Sequence, residues 1–143
     1  MRTWIYPAVI ARADEGDYVV RFPDFPEALT GADTFEEAAA LAEDALEVAI
    51  LEYLAESRII PQPRPAAKGE VDVALDPVTA SRAALAHLMR ERKITNVALA
   101  ARLGKSEGAI RRLTDGSANV KIDTVIEALK SLGGRAILSD AAA

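Results

Sequence analysis

Three basic side chains stand close together in the second half of the chain, at Lys105, Arg111 and Arg112. Apolar residues around them recur at intervals of three and four, and Gly104 interrupts that pattern. This spacing predicts two short helices joined by a glycine turn, because a sharp exit from a helix usually needs a positive φ. Ser106 is placed to cap the second helix. The pattern is typical of a DNA-reading helix-turn-helix, and an ordinary helical hairpin with a solvated charged face fits it about equally well.

Other kinds of chemistry have little support in the composition. The chain of 143 residues contains no cysteine, which excludes disulfides, thiolate zinc sites and cysteine nucleophiles. One histidine, His87, makes a histidine-based metal site or a relayed nucleophile implausible and reads as a partly exposed surface residue. No apolar run approaches the roughly 20 residues of a membrane span, and the start lacks the pattern of a signal peptide. We therefore expect a soluble, cytoplasmic protein without a membrane partner or a cofactor.

The net charge of −5 conceals two halves of opposite sign. Residues 1–76 carry 16 acidic and 6 basic side chains, whereas residues 77–143 carry 6 acidic and 11 basic ones. A net charge of −10 in one half and +5 in the other suggests two partners of opposite charge. The basic half suits nucleic acid, and the acidic half suits a basic protein.

The first half predicts a small sheet covered by one helix. Alternating and β-branched stretches predict strands over residues 3–12, 18–22, 28–30 and 71–75. Pro7 favours an edge position for the first strand, or a site where its missing N–H is not needed. Thr34 begins a helix with a capping box to Glu37, and this helix runs to about residue 57. The result is a β-β-β-α-β domain over residues 1–76 in an α+β fold.

The second half predicts an all-α domain over residues 77–143. Asp76 followed by Pro77 is typical of a helix start. Four helices fit the remainder, at about 77–92, 96–103, 107–114 and 124–132, and residues 135–139 predict a possible short terminal strand.

Residues 17–49 resemble a HicB-type antitoxin domain. They contain a strand, a Pro-Asp-x-Pro turn (residues 23–26), a Gly-x-Asp-Thr step (residues 31–34) and an acidic Glu-Glu-Ala helix start (residues 36–38). Glu27 stands where that family usually has glycine. Residues 99–133 resemble the XRE-like helix-turn-helix on one branch of these antitoxins, so the two resemblances cover roughly residues 3–135.

The resemblance implies the antitoxin of a type II toxin–antitoxin pair, and so a protein that is not an enzyme. The first domain, similar to a truncated RNase H fold, would cap HicA, a small basic ribonuclease that cleaves messenger RNA. The second domain would bind and repress the operator of the shared operon, as a homo-oligomer (dimer or tetramer) because one helix-turn-helix covers little DNA. The alternative is an orphan transcriptional regulator whose acidic domain mediates oligomerisation or senses a ligand.

The resemblance also assigns candidate DNA contacts. The start of the second motif helix points at base edges in XRE-like proteins, where arginine can contact guanine bidentately and glutamate can accept from cytosine. The positions that match it here are Ser106, Glu107, Gly108, Arg111 and Arg112. Phosphate contacts are expected from Asn96, Lys105, Asn119 and Lys121. For each residue taken singly, the alternative is a solvated surface side chain.

An acidic surface would steer a basic ribonuclease toward the first domain. The candidate acids for that contact are Asp24, Asp33, Glu36, Glu43 and Glu47. Pro23, Phe25 and Pro26 either pack on the partner or shape the turn. Because RNase H uses carboxylates around two metal ions, a nuclease site is a further alternative, with Asp14, Asp17, Asp24 and Asp33 as its candidate ligands. They fall on predicted turns and loops of a small sheet, so we expect neither catalysis nor a metal.

Overall fold

The computed structural model describes residues 1–117 and 119–141 and has an α+β fold, as predicted. A four-stranded sheet with one helix comes first, and four further helices follow. The elements are β1 (Ile5–Arg12), β2 (Tyr18–Phe22), β3 (Phe25–Ala32), α1 (Phe35–Ala55), β4 (Val71–Ala74), α2 (Pro77–Arg92), α3 (Asn96–Leu103), α4 (Glu107–Thr114) and α5 (Ile122–Ser131). Among the described residues, no helix combines the length and apolar character that a membrane crossing requires.

The sheet has the strand order β3-β2-β1-β4, and all its neighbours are antiparallel. β1 is therefore an inner strand, and an edge position for Pro7 was wrong. The first half of β1 pairs with β4, with Pro7 opposite Asp72, while its pairing with β2 begins only at Val9. Pro7 thus lies where β1 is paired on one side, which is a position that tolerates a missing N–H.

β3 is longer than the three residues predicted for it. It begins at Phe25, includes Pro26, and pairs with β2 through a register shift between Arg21 and Phe22. β3 is an edge strand, so its outer side has no neighbouring strand to bond with in the described chain. An edge strand tolerates the missing N–H of Pro26 for that reason.

α1 begins as its sequence predicts and packs across the sheet. The Thr34 hydroxyl accepts from the backbone N–H of Glu37 at 3.2 Å, which caps the helix. The return bond of the predicted capping box, from the Thr34 N–H to the Glu37 carboxylate, is not formed among the described residues. Ala38, Ala42 and Leu46 on the buried side of α1 are fully enclosed. With Tyr6, Phe22, Phe25 and neighbouring residues they form a buried cluster, here called the first core.

The four later helices enclose a separate buried cluster, here called the second core. It contains Leu85 and Met89 of α2, Leu99 of α3, Ile110 of α4, Val125 of α5 and their neighbours. α2 contributes to both clusters, since its Ala83 is fully buried in the first core. One helix therefore supports the sheet on one side and the helical group on the other.

The possible terminal strand over residues 135–139 is not formed, so this detail of the predicted fold was wrong. These residues are exposed and form neither a helix nor a strand of the sheet. A strand needs a neighbour for its backbone groups, and in the described part of the chain all paired strands belong to the sheet. α5 also starts two residues earlier than predicted, at Ile122.

Candidate functional site

α3 and α4 form the turn-linked helix pair that the sequence predicts. Thr95 caps α3 by accepting from the N–H of Ala98 at 3.1 Å, and Ser106 caps α4 by accepting from Ala109 at 3.1 Å. Between them Gly104 has a φ of +65°, and the N–H of Lys105 donates to the Ala100 carbonyl at 2.9 Å. The backbone polar groups at both ends of the turn thus have local hydrogen-bond partners, and the turn fixes α4 relative to α3.

The polar side of α4 presents its cations to solvent. Lys105, Ser106, Arg111 and Arg112 are exposed, whereas Glu107 is half-buried. Glu107 accepts from Arg111 at 2.9 Å, an i,i+4 pair that partly neutralises that arginine. Within the described residues Arg112 has no carboxylate partner. It is the arginine of α4 that an approaching anion can engage without breaking an ion pair.

The candidate phosphate contacts lie at the edges of the helix-turn-helix. Asn96 is the first residue of α3 and is half-buried, and Lys121 stands at the N-cap position of α5 without a side-chain capping bond. Asn119 is exposed in the connection between α4 and α5. Of the four candidates, Asn96 and Lys121 are thus at helix starts, where backbone N–H groups also favour an anion, and Lys105 lies in the turn before α4.

A buried arginine that sequence reasoning missed anchors the far end of α4. Arg82 of α2 is 5% exposed and donates from Nε to the Leu113 carbonyl and from Nη2 to the Arg112 carbonyl, each at 3.0 Å. Burial lowers the pKa of the Arg82 guanidinium, and nearby Asp115 acts in the opposite direction. The signal in the sequence was an arginine among the small residues of α2, but only the fold shows that it caps α4.

The same end of α4 touches α1. Gly116 has a φ of +73°, and a Cβ built on it would lie 2.8 Å from the Leu51 carbonyl oxygen. Thr79 of α2 also donates its hydroxyl proton to Glu47 of α1 at 2.8 Å. The end of α4 therefore lies against α1 through backbone at Gly116, and α2, which anchors α4 through Arg82, is itself bonded to α1 by Thr79.

The candidate acids of the first half divide into exposed and engaged groups. Asp33, Glu36 and Glu43 are exposed at the start and along one side of α1. Glu47, on the same side, is half-buried and is held by Thr79. Three of these four candidate acids are therefore accessible to a partner.

The predicted turn at residues 23–26 contributes mainly to packing. Phe25 is fully buried, with its ring edge-on to Tyr6 at 4.9 Å and to Tyr53 at 5.2 Å between centroids. The sequence left two roles open for Phe25, packing on a partner or shaping the turn. Its burial supports the second role, and its ring belongs to the first core. Pro23 and Asp24 are half-buried, and Asp24 Oδ2 is buried with no hydrogen-bond partner among the described residues.

A nuclease-type metal site has no support in the arrangement of carboxylates. Asp14 and Asp17 lie around the β1–β2 turn, whereas Asp24 lies at the β2–β3 turn and Asp33 after β3. Within the described ranges, no group of three or more acidic or histidine side chains could hold a metal ion.

His87 contacts the chain terminus as well as solvent. Arg2 Nη1 lies 3.2 Å from His87 Nδ1, and Arg2 Nη2 donates to the carbonyls of Ile60 and Pro61 at 2.7 and 3.0 Å. Partial burial lowers the pKa of the imidazole, and Arg2 lowers it further while Glu91 opposes. Arg2, three residues before β1, thus contacts both α2 and the segment that follows α1.

Comparison with known proteins gives one family. A family model described as the HicB-like antitoxin of a bacterial toxin–antitoxin system matches residues 5–95. The chain is 38% identical over 134 residues to Antitoxin HicB 1 of Photorhabdus laumondii, covering 94% of this chain and 85% of that protein.

Two further relatives carry the same name. Antitoxin HicB 2 of Photorhabdus laumondii is 42% identical over 120 residues, covering 84% of this chain and 85% of its own length. Antitoxin HicB of Escherichia coli strain K12 is 38% identical over 128 residues, covering 90% of this chain and 93% of its own. The family model covers more than half of the chain and these relatives cover most of it, which shows that the chain belongs to the HicB-like antitoxin family.

Proposed function

We propose that this antitoxin neutralises a HicA-type mRNA-cleaving ribonuclease by direct binding and represses its own operon by binding operator DNA. Residues 1–76 would bind the toxin and residues 77–143 the operator, with the protein acting as a homo-oligomer. Membership of an antitoxin family means that the chain acts as an antitoxin and not as an enzyme, with a toxin as its partner.

The observation that carries the DNA half is the exposed cationic side of α4. Arg112 is free of carboxylates within the described chain, Arg111 is exposed beside it, and Lys105 and Ser106 stand at the turn that opens the helix. A helix held at both ends, by Ser106 and by Arg82, presents these groups in a fixed geometry. Such preorganisation favours insertion of α4 into a major groove, with two copies on a palindromic site.

Operator binding provides the first test. Because an arginine that contacts guanine contributes roughly 1–3 kcal/mol of discrimination, Arg112→Ala should weaken binding to the DNA upstream of the operon by about tenfold or more. Arg12→Ala is the matched control, since Arg12 is an exposed arginine at the end of β1. Gel-shift titrations at several salt concentrations should show the logarithm of affinity falling steeply, by about 0.9 per neutralised phosphate for each logarithmic unit of salt.

Two results would contradict this proposal. An affinity that hardly changes between low and moderate salt would show that phosphate contacts do not carry the binding. Equal losses in Arg112→Ala and Arg12→Ala would show that the charge of the whole chain matters and that α4 does not read the DNA.

A further inference from the structure

A shallow groove between β3 and α1 combines an apolar floor with an acidic rim. Leu29 of β3 and Leu41 and Val48 of α1 line it, and their side chains are 65%, 38% and 57% exposed. Three carboxylates, those of Glu27, Asp44 and Glu52, stand around them. The groove encloses about 280 Å³ and is lined by no basic residue of the described chain.

The helical spacing separates this groove from the acids that the sequence analysis selected. Leu41, Asp44, Val48 and Glu52 recur at intervals of three and four on one side of α1. Glu36, Glu43 and Glu47 occupy a different side, which turns toward α2 through the Glu47–Thr79 hydrogen bond. The groove is thus a distinct surface of the same helix.

The groove also opens beside an unpaired strand edge. β3 is at the end of the sheet, and no other strand of the described chain pairs with its outer side. Exposed apolar residues next to an open edge are typical of a surface that another chain covers.

Charge decides between the possible occupants. In a twofold interface between two copies, the same patch meets itself, so the carboxylates of Glu27, Asp44 and Glu52 would face their own kind. Arg58 lies 4.0 Å from Glu27 and does not line the groove. It therefore partly neutralises one of the three carboxylates and leaves the charges of the other two. A partner with lysines or arginines around an apolar side chain complements both parts of the groove: its apolar side chain packs on the floor, and its cations pair with the acidic rim.

We propose that the α1–β3 groove is the docking surface for a cationic segment of the toxin, which places an apolar side chain between Leu29, Leu41 and Val48. This inference rests on the proposed function and names the surface that would carry its toxin-binding half. The basic side chains of the segment pair with Asp44 and Glu52, and the groove contributes to affinity through its centre and to association rate through its rim.

The test measures binding of the HicA-type toxin that the proposed function pairs with this antitoxin, carrying an inactivating substitution, to the antitoxin. Leu29→Glu and the double variant Asp44→Lys with Glu52→Lys should each weaken binding by about tenfold or more. Val97→Glu is the control for the first, because Val97 on α3 is 67% exposed. Asp14→Lys with Glu15→Lys is the control for the second, because both acids are exposed on the β1–β2 turn. Both controls should bind within about twofold of the parent.

The other outcomes separate the proposals. Unchanged circular dichroism and operator binding in the groove variants would show that they remain folded. Groove variants that bind the toxin as the parent does would overturn the groove and leave the proposed function standing, whereas a parent that does not bind the toxin would overturn both. A change in oligomeric mass of the toxin-free groove variants would assign the groove to a second copy and overturn the proposal.

Discussion

Arg64 and Glu70 close the connection between α1 and β4 with a bidentate pair. Arg64 donates from Nη1 and Nη2 to the two carboxylate oxygens at 2.8 Å each, and the N–H of Ala67 adds a third bond at 2.8 Å. The arginine, and after it the Ala67 N–H, lowers the pKa of Glu70 from 4.5 to about 2. A proline-rich segment that cannot form a helix is thereby held in one path to the sheet.

This pair predicts a specific pH dependence. Because the folded pKa of Glu70 lies below the unfolded one, its stabilisation is complete above about pH 4.5 and is lost as the pH falls toward about 2. Glu70→Gln should therefore unfold at a lower temperature than the parent at pH 7, and the difference should shrink between pH 4.5 and pH 2. Thermal unfolding followed by circular dichroism measures both.

Glu15→Gln serves as the control for Glu70→Gln, because Glu15 is exposed on the β1–β2 turn. Its effect on the unfolding temperature should be small at every pH. A Glu70→Gln difference that stays constant down to pH 2 would show that the carboxylate charge is not what holds the connection.

At the scale of elements, α4 is held by its two flanking glycines in different ways. Gly104 has a φ of +65° and open space around its missing Cβ, whereas Gly116 has a φ of +73° and lies against the Leu51 carbonyl of α1. Gly104→Ala should cost only the left-handed backbone strain, roughly 1–2 kcal/mol of the free energy of unfolding. Gly116→Ala should cost more, because its Cβ would also meet backbone that cannot yield.

Denaturant unfolding of the two variants under the same conditions measures this difference. Gly104→Ala is the matched control, since both substitutions add one methyl group at a positive φ. Equal costs would mean that the turn after α4 does not touch α1 in solution, and α4 would be held only by its contacts with α2 and α3.

Elements set by local spacing were predictable, and those set by distant partners were not. The caps at Thr34 and Ser106 and the turn at Gly104 depend on residues within a few positions, and all three form as predicted. The inner position of β1, the full length of β3 and the unformed terminal strand depend on which strands meet, so periodicity could not decide them. Arg82 acts where segments about 30 residues apart come together, which local spacing does not encode. The α1–β3 groove lies between consecutive elements, but the way α1 packs beside the edge strand depends on the whole sheet.

At the scale of the molecule, the opposite charges of the two halves suggest two independent units, but the packing joins them. Ala83 of α2 lies in the first core and Leu85 in the second. Arg90 also donates to the Ser57 carbonyl at 2.6 Å, beyond the end of α1. Loss of either core would expose one side of α2, so each core depends on the other.

We therefore predict that both halves unfold in one transition. Trp4, the chain's single tryptophan, packs against the first core, so its fluorescence reports the sheet, while far-ultraviolet circular dichroism reports mainly the helices. The two signals should change at the same denaturant concentration. In Thr79→Ala, which removes the bond to Glu47, both should move together to lower denaturant. Separate midpoints would instead show that residues 1–76 and 77–143 fold independently. A toxin bound at the proposed α1–β3 groove would then have no route to α4 through the packed chain, and any effect on the proposed DNA contacts would have to pass through a second copy or the DNA itself.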